Sequence, residues 1–227
     1  MNYLAIGLFI ILITVIYFMY YYLTNPTLTS GLHDLNKQIT VTYDKLINPN
    51  SLTYSYQCWI YISSPPSTTT PLFCRENLSS KVNEFEVDLT GQTLSVSAGT
   101  GDAGNTLKPV MTITNNFPIQ QWTYLVINVY NLKTFEAYIN GKLVKTVNNT
   151  QNLTPSSKTS SLFIGNGGLS GYVTKFIRTE KALEAQTIWT TYLSGNGLSS
   201  YFSSFIPYGL NMSISKGEDI QRVVKIF

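Results

Sequence analysis

Residues 117–147 read FPIQQWTYLVINVYNLKTFEAYINGKLVKTV and divide at turn residues into three short apolar runs. The first run is Trp122–Tyr130, the second is Thr134–Asn140 and the third is Lys142–Val147. The dipeptide Asn140-Gly141 is a strong hairpin signal, because both central residues of a type I′ turn need a positive φ. The three runs therefore predict an antiparallel meander.

The alternation of apolar residues indicates how this meander is covered. In the first run Leu125 and Ile127 lie on one face, while Tyr124 and Val126 lie on the other. A strand that is apolar on both faces is covered on both, or covered on one and lined by aromatic residues on the other. The second run alternates apolar and polar residues and is predicted to be half-buried.

The composition agrees with a β-sheet protein. Charged residues make up only 12% of the 227 residues, aromatic residues make up 13%, and Tyr, Thr, Ser and Asn are abundant. Such a composition favours β-structure over a helical bundle. The net charge of +3 is small, and no run of Lys and Arg occurs, so a nucleic-acid partner is not expected.

The N-terminal segment Leu4–Leu23 is an almost unbroken apolar run without a charged residue. Twenty helical residues rising about 1.5 Å each would span the roughly 30 Å hydrocarbon core of a bilayer. No basic region precedes the run and no small-residue cleavage site follows it, which favours an uncleaved anchor over a signal peptide. Residues 1–23 are therefore predicted to be the transmembrane helix of a single-pass membrane protein, in contact with the lipid bilayer.

The rest of the chain divides into three predicted parts. Residues 24–39 are polar and are predicted to be a stalk, residues 40–198 a β-sandwich, and residues 199–227 a C-terminal hairpin or tail. Leu183–Leu193 is spaced for one apolar helical stripe. Gly195 then stands where a glycine commonly ends a helix.

The two cysteines, Cys58 and Cys74, bracket a segment rich in Pro, Ser and Thr. If Tyr56–Ile62 and Leu72–Glu76 pair as a hairpin, the cysteines lie roughly opposite each other. A disulfide there would stabilise the fold by about 3 kcal/mol in the chain-entropy model. The alternative is two buried free thiols, and the sequence leaves both open.

Several spaced motifs carry a resemblance to a known family. The strand ending CWIYI (58–62) precedes the central meander, which is followed by IGNGG (164–168) and by GYVTKFIRTEKALEAQTIWTTYLSG (171–195). This order resembles the concanavalin A-like lectin/glucanase superfamily, and in particular its laminin G-like branch, over about Leu52–Gly197. The resemblance implies an all-β, antiparallel β-sandwich of the jelly-roll kind.

A domain of this kind behind one predicted N-terminal anchor, rich in Asn and Tyr and with Gly141-Lys142 after the hairpin Asn140, also looks like proteins of large nucleocytoplasmic DNA viruses, such as chloroviruses and mimiviruses. In those viruses, similar proteins are minor capsid or internal-membrane components of the virion. This resemblance implies a non-enzymatic structural protein that links the internal membrane to the capsid through contacts with other capsid or membrane proteins. The alternative is a membrane-anchored, lectin-like attachment protein that binds carbohydrate.

Enzymatic activity is not expected, although the superfamily contains glycoside hydrolases. Retaining glucanases of this fold resemble E-x-D-x-x-E or E-x-D-x-E on one strand. Glu86-Val87-Asp88 matches the first half, but Thr90 and Gly91 follow where the second Glu is required. The single histidine, His33, lies in the predicted stalk, so no Ser-His or Cys-His nucleophilic site is predicted. No catalytic residue is therefore assigned, and a divergent hydrolase is the least favoured alternative.

The resemblance implies two possible kinds of binding site. Laminin G-like domains often hold one calcium ion at the rim of the sandwich, and the candidate ligands are Asp88 and Asp102; no other cofactor is expected. The family also binds glycans, and the candidate residues at predicted loops are Tyr130, Asn131, Asn148 and Asn166. The alternative interpretation of these residues is sandwich core, turn or protein interface.

Overall fold

The computed structural model describes residue 7, residues 9–17, 31–100 and 107–197, and the backbone of residues 211–216 and 219–225. In chain order the strands are β1 (His33–Asp34), β2 (Ile39–Val41), β3 (Tyr54–Ser64), β4 (Thr70–Asn77), β5 (Val82–Thr90), β6 (Thr93–Gly99), β7 (Leu107–Thr114), β8 (Trp122–Tyr130), β9 (Thr134–Ile139), β10 (Lys142–Asn148), β11 (Ser160–Ile164), β12 (Ser170–Thr179), β13 (Asn211–Lys216) and β14 (Asp219–Lys225). A 3₁₀ turn covers Tyr43–Lys45, and helix α1 (Ala185–Leu193) follows β12.

Two six-stranded sheets form a sandwich. The first has the order β1-β12-β3-β8-β9-β10 and the second has the order β2-β11-β4-β5-β6-β7. All of the paired strands run antiparallel. Alternate residues of both sheets fill one apolar core, with Tyr56 and Ile60 from β3 and Phe85 and Val87 from β5 among them. The predicted all-β antiparallel sandwich is confirmed.

The central meander forms as the sequence predicts. In the turn between β9 and β10, Asn140 has φ 51° and Gly141 has φ 76°. The side chain of Asn140 also accepts a hydrogen bond from the Tyr124 N–H at 2.9 Å, which ties the turn to the start of β8.

Strand β8 is buried on both faces. Leu125 and Ile127 point into the sandwich core, whereas Tyr124 and Val126 belong to a second apolar cluster with Ile188 of α1. Helix α1 therefore covers the outer face of the first sheet at this point, as the two-faced apolar pattern requires.

Helix α1 begins two residues later than its apolar stripe predicts. The backbone of Leu183 is held by the Asn128 side chain, which accepts the Leu183 N–H at 3.0 Å and donates to the Leu183 carbonyl at 2.8 Å. The second bond occupies the Leu183 carbonyl, which in a helix starting at Leu183 would accept the N–H four residues later. At the other end Gly195 has φ 73°, as the helix-ending prediction expects.

The N-terminal membrane prediction is wrong. The helical residues described there are 7 and 9–17. Within the part of the chain that the structure describes, no helix is both long enough and apolar enough to cross a membrane. The other residues of Leu4–Leu23 lie outside the described ranges.

The sandwich begins earlier than the predicted stalk allows. β1 pairs with β12, β2 pairs with β11, and Leu35 between them is buried. Residues 24–30 of the stalk lie outside the described residues. Near the C-terminus β13 and β14 pair with each other as a two-stranded sheet, and the domain boundaries at 23 and 198 stay predictions.

The hairpin behind the proposed disulfide does not form. β3 belongs to the first sheet and β4 to the second, so the chain crosses the sandwich between Cys58 and Cys74. Cys58 points into the core, whereas Cys74 lies opposite Glu86 on the second sheet. Both cysteines are free and buried, and burial raises the pKa of each thiol.

The contact between the meander turn and α1 can be tested by Gly141→Ala. A Cβ at this position would lie 2.6 Å from Trp189 Cε3. The variant should lose about 1–2 kcal/mol through its positive φ and about 1–3 kcal/mol more by overpacking. Denaturant unfolding measures the loss.

Gly91→Ala is the matched control for this experiment. Gly91 occupies the turn between β5 and β6 with φ 58°, and a Cβ there would meet nothing within 4 Å. It should therefore show the backbone cost alone. Equal losses in the two variants would mean that α1 does not press on the turn.

Candidate functional site

Three aromatic side chains cross the outer face of the first sheet in one line. Tyr61 of β3 lies opposite Tyr172 of β12 and opposite Trp122 of β8. The ring centroids of Tyr61 and Trp122 are 5.7 Å apart, and those of Tyr61 and Tyr172 are 6.5 Å apart. Neighbouring residues on β3 point into the core, so Tyr61 points outward. Trp122, Tyr61 and Tyr172 are called the aromatic row.

A pocket of about 330 Å³ adjoins the aromatic row and is called the loop pocket. Its volume lies at the small end of the range for ligand sites. Tyr172 belongs to both features, and its side chain is 42% exposed. The pocket is lined by Asp34, Asn36, Ser63, Gly167, Gly168, Leu169, Ser170, Gly171 and Tyr172.

The walls of the loop pocket are fixed by backbone contacts. The Leu35 N–H donates to the Gly171 carbonyl at 2.9 Å, which joins the segment after β1 to β12. Gly171 packs so closely on β3 that a Cβ would lie 2.1 Å from the Tyr61 carbonyl oxygen, so only glycine fits there. The Asn166 side chain also accepts the Gly168 N–H at 3.0 Å. The pocket is therefore preformed.

Asp34 supplies the one carboxylate among the lining residues. Its Oδ1 accepts the Asn36 N–H at 2.9 Å, and its carbonyl accepts the Lys37 N–H at 3.1 Å. The first bond orients the side chain and the second holds the backbone turn, and Oδ2 has no hydrogen-bond partner among the described residues. A carboxylate oxygen, an amide, two hydroxyl groups and a phenol therefore surround the cavity.

This arrangement suits a ligand that has both hydroxyl groups and an apolar face. Carboxylate and amide oxygens accept hydrogen bonds from hydroxyl groups, and an exposed aromatic ring packs against an apolar face. Glycoside hydrolysis needs two carboxylates flanking one bond, and the lining residues provide only one. The pocket thus offers hydrogen-bonding groups and one aromatic ring to a ligand.

Of the four predicted glycan residues, only Asn166 lies beside the loop pocket, where it braces the glycine loop. Tyr130 ends β8 at the opposite end from Trp122, roughly 26 Å away along the strand. Its hydroxyl donates to Glu136 Oε2 at 3.0 Å. The Asn131 side chain accepts a hydrogen bond from the Thr53 hydroxyl at 3.2 Å. The Asn148 side chain accepts one from the Thr134 hydroxyl at that same end of the sheet. The structure does not bring these three residues to the pocket.

The acidic strand β5 lies on the other sheet. Its core-facing residues are Phe85, Val87 and Leu89, so Glu86 and Asp88 point away from the core. Burial, then the hydrogen bond and charge of Glu86, raise the pKa of Asp88 to about 8. One buried oxygen of Asp88 has no hydrogen-bond partner. Asp88 therefore keeps its proton to a higher pH than an exposed Asp does.

The predicted calcium ligands are not tested as a pair, because Asp102 lies outside the described residues. Asp88 has Glu86 as its acidic neighbour on β5. No group of three or more His, Cys, Asp or Glu residues in the described ranges could hold a metal ion. Calcium binding stays a prediction.

Comparisons with known proteins agree with this architecture. A family model described as the concanavalin A-like lectin/glucanases superfamily matches residues 34–189. A search of curated proteins gives no match.

Among solved structures, the binding domain of botulinum neurotoxin serotype G shares 16% identity at a TM-score of 0.57, covering 72% of this chain and 42% of that one. The serotype D binding domain shares 13% identity at a TM-score of 0.58, covering 75% and 44%. The serotype D ligand binding domain in complex with N-acetylneuraminic acid shares 14% identity at 0.58, again covering 75% and 44%. At these identities the likeness shows the fold alone, and this chain spans less than half of the length of each.

The raised pKa of Asp88 predicts a pH-dependent stability. The folded state keeps the proton up to about pH 8, whereas the unfolded chain releases it near pH 4. The contribution of Asp88 to the free energy of unfolding is therefore fully present below pH 4 and is lost as the pH rises to 8. Asp88→Asn should reduce that loss by at least about 1 kcal/mol.

Urea unfolding of both proteins at pH 5 and pH 8 measures the effect. Asp44→Asn, at a fully exposed carboxyl group, is the control and should leave the pH dependence between 5 and 8 unchanged. An identical pH profile for wild type and Asp88→Asn would show that Asp88 ionises normally.

Proposed function

Because the chain belongs to the concanavalin A-like lectin/glucanase superfamily, we propose that it is a non-enzymatic carbohydrate-binding module. Its binding site is the loop pocket together with the aromatic row. The observation that carries this proposal is the exposed Tyr172 ring, which borders a preformed polar pocket and continues into Tyr61 and Trp122.

The two features together match the two sides of a pyranose ring. The hydroxyl groups of a sugar can reach Asp34, Asn36 and Ser63, while its C–H face packs on Tyr172. Tyr61 and Trp122 are half-buried and extend the apolar surface beyond one sugar ring. A longer saccharide could therefore lie across three strands, with its terminal unit in the loop pocket.

Preformed walls favour affinity, because little conformational entropy is lost when the ligand binds. A serotype D neurotoxin domain solved in complex with N-acetylneuraminic acid shares this fold over 44% of its chain. The proposed saccharide site is therefore argued from the residues of this chain.

The non-enzymatic part of the proposal rests on β5. Glu86 and Asp88 lie on the second sheet, where burial raises the pKa of Asp88, and Thr90 follows where a glucanase strand would carry another Glu. The first sheet, which holds the proposed site, offers only Asp34 as a carboxylate at the loop pocket.

A second candidate function is structural, as a component of a large DNA virus particle that contacts other capsid proteins. β10 is the outermost strand of the first sheet, and its Leu143 and Val144 are 54% and 42% exposed. An exposed edge strand with apolar side chains can pair with an extended strand of another protein. The resemblance to viral virion proteins supplies the kind of partner.

Glycan-array binding and titration of the strongest hits test the first proposal. Wild type should bind at least one class of saccharide in a saturable manner. Tyr172→Ala should weaken the affinity by roughly tenfold, because it removes a stacking surface worth about 1 kcal/mol or more.

Tyr43→Ala is the matched control, since Tyr43 is also 42% exposed but does not line the pocket. Its affinity should equal that of wild type. Equal losses in the two variants, or no saturable binding by a folded wild-type protein, would contradict carbohydrate binding at this site.

The structural candidate predicts that mass spectrometry detects the protein in purified particles of the virus that encodes it. Leu143→Glu should then reduce its incorporation, because it places a charge in the edge contact. Leu52→Glu, at a leucine that is 48% exposed away from β10, should be incorporated normally. Absence of the wild-type protein from purified particles would rule this candidate out.

A further inference from the structure

The charge of the loop pocket points to the class of saccharide that it takes. We infer that the pocket selects uncharged sugars over sugars that carry a carboxylate or sulfate, and that Asp34 is the specificity-determining residue. This inference rests on the proposed carbohydrate-binding function and names the ligand class of the same site.

The charges of the nine lining residues disfavour an anionic ligand. Asp34 is the only acidic residue among them, and none of the nine is Lys, Arg or His. A negatively charged sugar in the pocket would therefore face one carboxylate with no lining cation to offset it. Like charges brought together in a partly dehydrated site disfavour binding strongly.

Lys37 and Lys175 are the lysines closest to the lining residues along the chain. Lys37 follows the pocket segment in sequence, but its side chain is not among the lining groups and makes no ion pair with Asp34, since Lys81–Glu76 is the salt bridge found in the described residues. Lys175 Nζ donates to the Gly195 carbonyl at 2.8 Å. Neither of these two ammonium groups is therefore among the groups that line the pocket.

The two buried arginines are also committed elsewhere. Arg178 lies opposite Tyr56 on β3, towards the far end of that strand from Ser63, and donates to the Ile47 carbonyl at 2.7 Å. Arg75 lies on the second sheet and donates to the Ser160 carbonyl at 2.8 Å. Neither guanidinium group is placed to neutralise a ligand at the loop pocket.

The hydrogen-bonding capacity of Asp34 also favours a neutral sugar. One Asp34 oxygen is used by the Asn36 N–H, and the other can only accept. Sugar hydroxyl groups can donate to it, whereas a carboxylate or sulfate group offers acceptors alone. Asp34 therefore attracts a neutral sugar and repels an acidic one, so that a single residue supplies both the favourable and the unfavourable contact.

The test compares lactose with 3′-sialyllactose and 3′-sulfolactose, and maltose with its glucuronate-containing counterpart, by titration of the full chain. At least one neutral member should bind about tenfold or more tightly than its acidic partner. Asp34→Asn keeps an oxygen for the Asn36 N–H and removes the charge. It should reduce that preference to about threefold or less, chiefly by raising the affinity for the acidic sugar.

Ser63→Asp is the second variant, and it adds a carboxylate to the pocket wall. It should strengthen the preference for neutral sugars and keeps the proposal testable if Asp34→Asn does not fold. Asp44→Asn, outside the pocket, should match wild type for every sugar.

The outcomes separate this inference from the proposed function. Equal or tighter binding of the acidic partners by wild type would overturn the selection of neutral sugars while leaving carbohydrate binding in place. An unchanged preference in both Asp34→Asn and Ser63→Asp would show that Asp34 does not set the specificity. Failure of folded wild type to bind any saccharide in the wider array would overturn the proposed function itself, and this inference with it.

Discussion

The fold depends on one requirement. The two central strands, β3 and β8, must bury apolar residues on both of their faces. One face of each strand contributes to the core between the sheets. The other face is covered by α1 only in part, where Ile188 packs with Trp59, Tyr124 and Val126. Next to this cluster the same outward positions continue as Trp122, which packs against it, and as Tyr61, and β12 adds Tyr172 beside them. The aromatic row is thus the less deeply buried continuation of the same apolar surface.

That partial coverage links stability to binding. At the covered end, Trp59 stacks on Tyr192 with centroids 5.7 Å apart, and Trp189 rests on the meander turn. At the uncovered end, the rings are held in position by strand register instead of by a helix. A rigid sheet surface with aromatic side chains in register is well suited to binding. Its backbone and rings are already ordered, so little conformational entropy is lost when a ligand binds.

Much of the fold could be predicted from the sequence, because local signals decide it. The alternation in β8 and β9, the Asn140-Gly141 turn and the stripe of α1 all act between residues close in sequence, and each appears in the structure. Cys58 and Cys74 show where such signals stop. A Pro- and Ser-rich connection is compatible with a hairpin within one sheet and with a crossing between two sheets, and only the packing of the whole sandwich decides between them.

The candidate site was harder to predict for the same reason. Polar residues next to turns, such as Tyr130 and Asn131, look accessible in a sequence, but their side chains bond to Glu136 and Thr53 at the far end of the sheet. Asp34, Tyr61, Trp122 and Tyr172 come from four separate strands, and no local pattern joins them. The alternation of inward and outward residues on β3 was the one signal in the sequence for Tyr61. It indicates that Tyr61 points outward, but only the strand order shows which residues lie beside it.

The position of β12 between β1 and β3 also determines when parts of the domain can form during synthesis. β3 must wait for a partner more than a hundred residues downstream, so the growing chain leaves the ribosome with one edge of its first sheet unpaired. The loop pocket is therefore among the last parts of the domain to form, and a chain that stops before β12 would have an open, aggregation-prone edge where a finished domain has its pocket.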